Sequence, residues 1–278
     1  MTRVIDSLIA DADRKLRSRR EAELLMEHVT GASRSEMYGD RGFDVEASEA
    51  RRFQSLVARR MRAEPLQYLT GTQSFRQLEL KVGPGVLVPR PETEVVVERA
   101  LALIEPIQAP RVLDIGTGCG AIALSIATER PDARVWATDI SAEALAWAET
   151  NVRSHQCDRV ELFLGDLFEP LGPQLMGSFD LIVSNPPYLT ERQVAAGPAD
   201  VRDHEPHLAT IAGPTGLEVV GRLIEVAPQR LKPDGWIVLE TWEDQAEALS
   251  LLLSPSFKDL TVTRDLTGKV RVVEARKK

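Results

Sequence analysis

The strongest constraint on the fold is an alternation of strand-like and helix-like segments that begins at Arg111. Short apolar runs alternate with longer segments of helical spacing, which is typical of a parallel sheet covered by helices on both faces. The predicted strands are RVLDIG, ARVWATD, VELFLGD, FDLIVSN, WIVLET, LTVTRD and VRVVEA. No helix separates the last two, which predicts an antiparallel hairpin at one edge. We therefore predict an α/β fold with a doubly wound, mainly parallel sheet of seven strands.

The part of the chain before this alternation has a different pattern. Residues 1–65 carry apolar residues at helical spacing on charged segments, which predicts a helical domain. In residues 66–90 apolar and polar residues alternate and glycines interrupt them, which predicts a β-hairpin linker. Helical spacing resumes after Pro91, a residue favoured in the first turn of a helix. Residues 91–278 then form the α/β domain.

Composition argues against several classes of function. The net charge is −8, and the first 64 residues hold 13 Lys and Arg against 12 Asp and Glu, so the acid excess lies beyond them. An acidic surface gains little binding free energy from the release of counterions from a phosphate backbone, so we expect no direct nucleic-acid binding. No apolar window is long enough to span a bilayer, so no membrane partner is expected. Cys119 and Cys157 form no Cys-x-x-Cys pair, which indicates a reducing cytoplasm.

A glycine-rich turn, DIGTGCG, follows the first strand of the alternation. Ligands of doubly wound sheets bind beyond the carboxyl ends of the strands, and glycines let the backbone turn tightly and approach a ligand. Asp114 is placed to accept a hydrogen bond from a ligand ammonium group. A purely structural tight turn is the alternative. The candidate cofactor-binding residues of this segment are Asp114, Gly116, Thr117, Gly118, Cys119 and Gly120.

Acidic residues end the next two predicted strands. Asp139 follows Gly116 by 23 residues, near the separation at which an acid binds both hydroxyls of a ribose. Asp166 and Leu167 suit the amino edge and the face of an adenine. Each acid alone could instead cap a helix or lie in a solvated turn. The glycine spacing is Gly-x-Gly-x-Gly rather than Gly-x-Gly-x-x-Gly, so we predict a nucleoside without a diphosphate, and S-adenosylmethionine fits.

The fourth strand ends in Asn185, Pro186, Pro187 and Tyr188, which we predict to be catalytic and substrate-binding residues. A planar nitrogen carries two N–H donors, and the Asn185 side-chain oxygen with the Pro186 carbonyl supplies two acceptors. These bonds aim the nitrogen at a methyl group and favour its more tetrahedral transition state. Asn185 thereby also borders the cofactor. Tyr188 is expected to pack against the flat face of the substrate.

These residues carry a resemblance to a known family. DIGTGCG, TD at 138–139, GDLF and SNPPY resemble the class I S-adenosylmethionine-dependent methyltransferases that act on planar nitrogens. PLQYLTGTQSF, VLVPRPETE and DVRDHEPHLATIAGPTGLE resemble, more specifically, the release-factor glutamine methyltransferases, the PrmC or HemK family. The resemblance runs from about Leu66 onward, with a compatible helical domain before it.

The resemblance implies a Rossmann-like class I methyltransferase fold and a reaction. A methyl group passes from S-adenosyl-L-methionine, leaving S-adenosyl-L-homocysteine, to the side-chain amide nitrogen of the glutamine in the Gly-Gly-Gln motif. That motif belongs to class I peptide chain release factors, the expected protein partners. The helical domain is implied to help bind them. We further expect a cytoplasmic monomer.

Some positions depart from the family pattern or stay open. Cys119 replaces a usual threonine or serine, and Leu167 replaces an aromatic that some relatives place beside adenine. LETWEDQ keeps a Glu and a Gln but lacks an expected glycine, so we assign no role there. In PRPETE, a charged residue borders the cofactor or the substrate, or the segment is only a proline-started helix with a charged first turn. These charged residues are Arg90, Glu92 and Glu94.

Other functions share part of this pattern. NPPY also occurs in nucleic-acid amino-methyltransferases for adenine or guanine, but no added recognition domain or basic face is evident. Glutamine methylation of a ribosomal protein is a close alternative, and the intact motif argues against a non-catalytic adaptor. DHEPH, residues 203–207, contains a His-x-x-His spacing that does not fit one helix face, so we expect no metal. A loop beside the glutamine pocket is the functional alternative there.

Overall fold

The computed structural model describes residues 3–39 and 43–278. Residues 1, 2 and 40–42, which the expected helical domain includes, lie outside the described residues. The described chain forms two compact units. One comprises the residues up to Thr72 together with Ala199–His204, and the other comprises Gln73–Pro198 and Glu205–Lys278.

The first unit is helical. Its helices are α1 (Val4–Leu16), α2 (Arg19–Thr30), α3 (Arg34–Gly39), α4 (Ala47–Arg60), α5 (Leu66–Thr70) and α10 (Ala199–His204). Fully buried apolar side chains such as Ile9, Met26 and Phe53 form its core. The short helix α5 occupies the start of the segment that we assigned to a hairpin linker, and Gly71, at φ 77°, ends it. That left-handed conformation is easy for glycine and stops the helix.

The second unit is built on a seven-stranded sheet, which confirms the predicted fold class. Its strands are β3 (Arg111–Ile115), β4 (Arg134–Asp139), β5 (Val160–Leu164), β6 (Phe179–Ser184), β7 (Leu231–Glu240), β8 (Phe257–Arg264) and β9 (Val270–Lys277). The strand order is β5-β4-β3-β6-β7-β9-β8, with β9 antiparallel to both neighbours and the other pairs parallel. The chain reverses its direction of winding between β3 and β6, and doubly wound sheets bind ligands at such a point.

Helices cover both faces of this sheet. The helices of this unit are α6 (Thr93–Ile104), α7 (Ala121–Glu129), α8 (Ala142–Ser154), α9 (Glu191–Ala196), α11 (His207–Thr210), α12 (Glu218–Arg230) and α13 (Ala246–Leu253). Neighbouring residues Val112 and Leu113 are both fully buried but belong to different apolar clusters, one on each face. Burial on both faces explains why these strands read as continuous apolar runs. Among the described residues, no helix is long and apolar enough to cross a membrane.

A two-stranded hairpin precedes α6. Its strands are β1 (Thr72–Phe75) and β2 (Leu78–Lys81). Arg76 in the turn anchors it, since its guanidinium donates to both Glu129 carboxylate oxygens of α7 at 2.5 and 2.6 Å. The residues between β2 and α6 continue without regular structure towards the carboxyl ends of the sheet strands.

Candidate active site

A cavity of about 240 Å³ lies beyond the carboxyl ends of β3, β4 and β6. Most sequence-predicted site residues line it: Gly116, Thr117, Gly118, Cys119, Asp139, Asp166, Leu167, Asn185, Pro186 and Pro187. Three others, Asp114, Gly120 and Tyr188, do not line it. The wall also includes Pro206 of DHEPH, in agreement with a loop beside the pocket, and residues that we did not predict for the site: Thr93, Leu208, Ala209 and Arg222.

The glycine turn forms one wall of the cavity. Gly116 and Gly118 have φ values of 74° and 60°, the left-handed conformation that glycine adopts without strain. A side chain at Gly116 would project into space with no heavy atom within 4 Å. The Gly116 and Thr117 N–H groups both donate to the Thr138 carbonyl, at 2.8 and 3.0 Å, which ties the turn to β4. The turn therefore presents a fixed backbone surface to a ligand.

Asp114 lies beneath this turn rather than in the cavity wall. It is fully buried, and its Oδ2 accepts a hydrogen bond from Thr117 Oγ1 at 2.7 Å. Burial raises the pKa of Asp114 to about 7, although the Thr117 hydrogen bond partly offsets this effect. Its contact with a ligand ammonium group stays a prediction. Through Thr117 it holds the turn in place.

Asp139 lines the cavity at the end of β4. Its Oδ2 accepts from the Gly118 N–H at 2.8 Å, and its Oδ1 accepts from the Ser141 N–H at 2.9 Å. Burial raises its pKa from the ordinary value, and these backbone bonds act in the opposite direction. Each carboxylate oxygen has a second lone pair, so both can still accept a hydrogen bond from a ligand.

Asp166 and Leu167 line the cavity beyond the end of β5. Leu167 has a φ of 48°, an unusual conformation for leucine, and its carbonyl accepts from Thr138 Oγ1 at 2.9 Å. Asp166 Oδ2 accepts from the Arg222 guanidinium of α12 at 2.6 Å. Arg222 therefore fixes the Asp166 carboxylate from outside the strand, a role that its distance along the chain concealed.

We expect Arg222→Ala to raise the Kd for S-adenosylmethionine by about two- to fivefold, because a half-exposed ion pair contributes about 0.2–1 kcal/mol. The Asp166 carboxylate would remain but would lose its orientation. Isothermal titration of the wild type, Arg222→Ala and Arg222→Lys measures the effect. An unchanged Kd in the alanine variant would show that Asp166 needs no partner.

The end of β6 places Asn185 in the cavity wall. Ser184 Oγ donates to the Ile115 carbonyl at 2.6 Å, which fixes the ends of β6 and β3 together. Asn185 Nδ2 donates to Thr93 Oγ1, in the first turn of α6, at 3.2 Å. Because the NH₂ side of the amide is turned to Thr93, its Oδ1 is left as the acceptor for a ligand in the cavity.

Tyr188 is placed differently from the other residues of the NPPY segment. Its hydroxyl donates to Oε1 of the buried Glu240 at 3.3 Å, and its ring lies beside Trp242 with 6.2 Å between ring centroids. Gln245 Nε2 donates to the Tyr188 carbonyl at 2.9 Å. The ring does not line the cavity, and its packing against the substrate stays a prediction. In this structure Tyr188 anchors the turn after the two prolines.

Glu240, at the end of β7, is a fully buried carboxyl group. Burial raises its pKa to about 7, and the Thr93 and Tyr188 hydroxyls and the Arg271 charge partly offset this effect. The LETWEDQ segment, to which we assigned no role, therefore supplies both Glu240 and Gln245 to the support of the NPPY turn.

The Glu240 pKa makes a prediction about stability. Its folded-state pKa, about 7, lies above the ordinary value of 4.5, so the stabilisation from the protonated group is complete below about pH 4.5 and is lost as the pH rises through about 7. Relative to Glu240→Gln, we expect the wild type to lose about 1–3 kcal/mol of unfolding free energy over this range. Urea denaturation at pH 4.5, 6 and 8 measures it. The prediction would be contradicted if the unfolding free energy changed with pH by the same amount in both proteins.

The segment from Glu205 to Ala209 borders the cavity. Glu205 is buried, pairs with the Arg90 guanidinium and accepts from the Val88 N–H at 3.2 Å. Pro206, Leu208 and Ala209 line the cavity beside it. The DHEPH run thus contributes a structural carboxylate to the cavity rim.

The three charged residues of PRPETE all have protein partners and none of them lines the cavity. Arg90 pairs with Glu205, Glu92 lies 3.8 Å from the Arg271 guanidinium, and the Arg76 N–H donates to Glu94 at 3.1 Å. The residues of this segment that reach the cavity are Pro89 and Thr93.

The cavity fits S-adenosylmethionine. The open space over Gly116 leaves room for a chain that crosses the glycine turn. Asp139 supplies two carboxylate oxygens for the ribose, and Asp166 and Leu167 supply an acceptor and an apolar surface for the base. Cys119 also lines the cavity, and burial raises the pKa of its thiol to about 12.

Comparison with known proteins gives the family. The sequence model of the PrmC N-terminal domain matches residues 8–71, and that of the methyltransferase small domain matches residues 95–200. The release factor glutamine methyltransferase of Geobacter sulfurreducens is 41% identical over 260 residues, 93% of this chain and 89% of the relative. That of Bordetella pertussis is 42% identical over 255 residues, 91% of this chain and 93% of the relative.

Solved structures show the same fold. A methyltransferase from Pyrococcus furiosus aligns with a TM-score of 0.53 and 20% identity, over 79% of this chain and 98% of that chain. The T. thermophilus 16S rRNA methyltransferase RsmC, solved with AdoMet and guanosine, aligns with a TM-score of 0.56 and 21% identity, over 74% of this chain and 50% of that chain. With the sequence relatives covering nearly the whole chain, this protein belongs to the release factor glutamine methyltransferase family.

Proposed function

We propose that this protein methylates the side-chain amide nitrogen of the glutamine in the Gly-Gly-Gln motif of class I peptide chain release factors. The observation that carries the proposal is the orientation of Asn185. Its Nδ2 is engaged by Thr93, so its Oδ1 is presented as an acceptor at the carboxyl end of β6. An acceptor in that place suits the NH₂ group of a primary amide, and the relatives described above carry the corresponding activity in their names.

The chemistry of an amide nitrogen explains what the site has to do. Bound S-adenosylmethionine supplies an electrophilic methyl group, but the amide lone pair is delocalised and nucleophilically weak. Asn185 Oδ1 and the Pro186 carbonyl accept the two N–H bonds, orient the nitrogen and stabilise the positive charge that it gains. Pro186 and Pro187 restrict the backbone that carries this carbonyl. No base has to act before the attack, since a proton can leave afterwards.

The remaining cavity residues have complementary roles in this proposal. Asp139 binds the ribose hydroxyls, and Asp166 with Leu167 binds the adenine. The turn of Gly116, Thr117, Gly118, Cys119 and Gly120 supports the methionine part. Asp114 acts from beneath the turn through Thr117.

The proposal extends to the partner and its setting. The chain consists of the helical domain, residues 1–65, then the hairpin linker, residues 66–90, and then the catalytic domain, residues 91–278. The helical domain helps to bind the release factor. The protein acts as a monomer in the cytoplasm, the compartment in which release factors take part in translation. No direct contact with nucleic acid is required, in agreement with the net charge of −8.

Mass spectrometry of a release factor incubated with the protein and S-adenosylmethionine tests the function. We expect one added methyl group on the motif glutamine, and none when that glutamine is replaced by glutamate. Parallel reactions contain ribosomal proteins or RNA with the same labelled cofactor. Label that enters these substrates while the release factor stays unmodified would overturn the proposal.

A further inference from the structure

We infer that Thr93 is a positioning residue that fixes the amide orientation of Asn185. This inference rests on the proposed function and deepens it. The side-chain amide of asparagine has a donor side and an acceptor side of nearly the same shape. Only one of the two orientations presents an oxygen to an incoming NH₂ group.

The contact between Asn185 and Thr93 selects that orientation. Asn185 Nδ2 lies 3.2 Å from Thr93 Oγ1, and Thr93 is nearly fully buried in the first turn of α6 while its surface still borders the cavity. If the amide were reversed, an NH₂ group would face the substrate NH₂. Two donors would then oppose each other, and the substrate nitrogen would lose one of its two acceptors.

The Thr93 hydroxyl oxygen carries two lone pairs, so it can accept from Asn185 while its own hydrogen points away from the amide. Valine at this position would have the same shape but no oxygen to accept from the Asn185 NH₂ group. The hydroxyl of Thr93 is therefore the group that distinguishes the two orientations of the amide.

The resulting hydrogen bonds run in one direction. The substrate N–H donates to Asn185, and Asn185 donates to Thr93. Thr93 therefore acts on the substrate amide through Asn185.

Thr93→Val tests the inference, because valine keeps the shape of threonine and removes the hydroxyl. We expect kcat to fall by roughly tenfold or more, the value of one lost hydrogen bond in the transition state. The Kd for S-adenosylmethionine and the KM for the release factor should stay within about threefold of the wild type. Thr93→Ser, which keeps the hydroxyl, should restore kcat to within about threefold of the wild type.

The amide of Asn185 gives a second readout that needs no turnover. Its side-chain NH₂ signals in a ¹⁵N–¹H spectrum, identified by their loss in Asn185→Ala, should shift in Thr93→Val and return close to the wild-type position in Thr93→Ser. A failure of the proposed function would leave this spectral result intact, so the two failures are distinguishable. The inference would be overturned if the signals did not shift in Thr93→Val or if the serine variant behaved like the valine variant. It would also be overturned if the Kd for S-adenosylmethionine rose by the same factor by which kcat fell.

Discussion

Replacing Asn185 by alanine is expected to lower kcat for glutamine methylation by about 100- to 1000-fold, the usual effect of removing one group that stabilises developing charge. The alanine lacks the oxygen that accepts a substrate N–H, so the nitrogen would be neither oriented nor stabilised as it becomes positive. The Kd for S-adenosylmethionine should change by less than about threefold, since the ribose and adenine groups are untouched. Single-turnover kinetics and calorimetry separate the two quantities.

Asn185→Asp is the matched control for this prediction. Aspartate keeps the size of the side chain and an acceptor oxygen but has no NH₂ group to donate to Thr93. We expect its kcat to lie between those of the wild type and the alanine variant. An alanine variant whose cofactor binding weakens as much as its turnover would remove Asn185 from the role of substrate acceptor.

The second large effect concerns Asp139. We expect Asp139→Ala to weaken S-adenosylmethionine binding by about 100-fold, because two charge-assisted hydrogen bonds to the ribose would be lost. The carboxylate also holds the Gly118 N–H at 2.8 Å, so its removal loosens the glycine turn as well. At saturating cofactor, kcat should recover to within about fivefold of the wild type. Calorimetry and saturation kinetics measure these values.

Asp139→Asn tests whether cofactor binding depends on the charge of the Asp139 side chain or only on its shape. It keeps one acceptor oxygen and should bind the cofactor with intermediate affinity. A thermal melt of each variant shows whether the fold is intact. Unchanged cofactor affinity in Asp139→Ala would mean that the ribose lies elsewhere in the cavity.

The sheet could be predicted from the sequence because its information is local. Val112 and Leu113 are buried on opposite faces, so their strand reads as an apolar run. The glycines of the turn after it alternate within one short segment of the chain. The gathering of Asp139, Asp166 and Asn185 at one edge followed from the parallel order of their strands. These inferences needed only periodicity and topology.

The supporting contacts could not be predicted because they join distant parts of the chain. Thr93 and Asn185 lie 92 residues apart, and Asp166 and Arg222 lie 56 apart. Thr93 lies within PRPETE, a segment in which we considered only the charged residues as candidates. The position of Tyr188 depends on Glu240, whose burial only the folded sheet reveals.

Short elements were also difficult to predict. The helix Leu66–Thr70 has only five residues, too few to show a helical period, and it is defined by Gly71 after it. The three short helices between β6 and α12 have the same difficulty, and none of them was predicted. Strand β7 begins at Leu231 rather than at Trp236, because an irregularity in its pairing with β6 accommodates the intervening residues.

The protonation state of the Cys119 thiol determines whether the protein can methylate itself. A cysteine in a cavity that holds a reactive alkyl donor is a target for self-modification, and the thiolate is the reactive form. With a pKa of about 12, only about one thiol in 100,000 is ionised at pH 7. The protein can therefore retain a sulfur atom beside its methyl donor without alkylating itself.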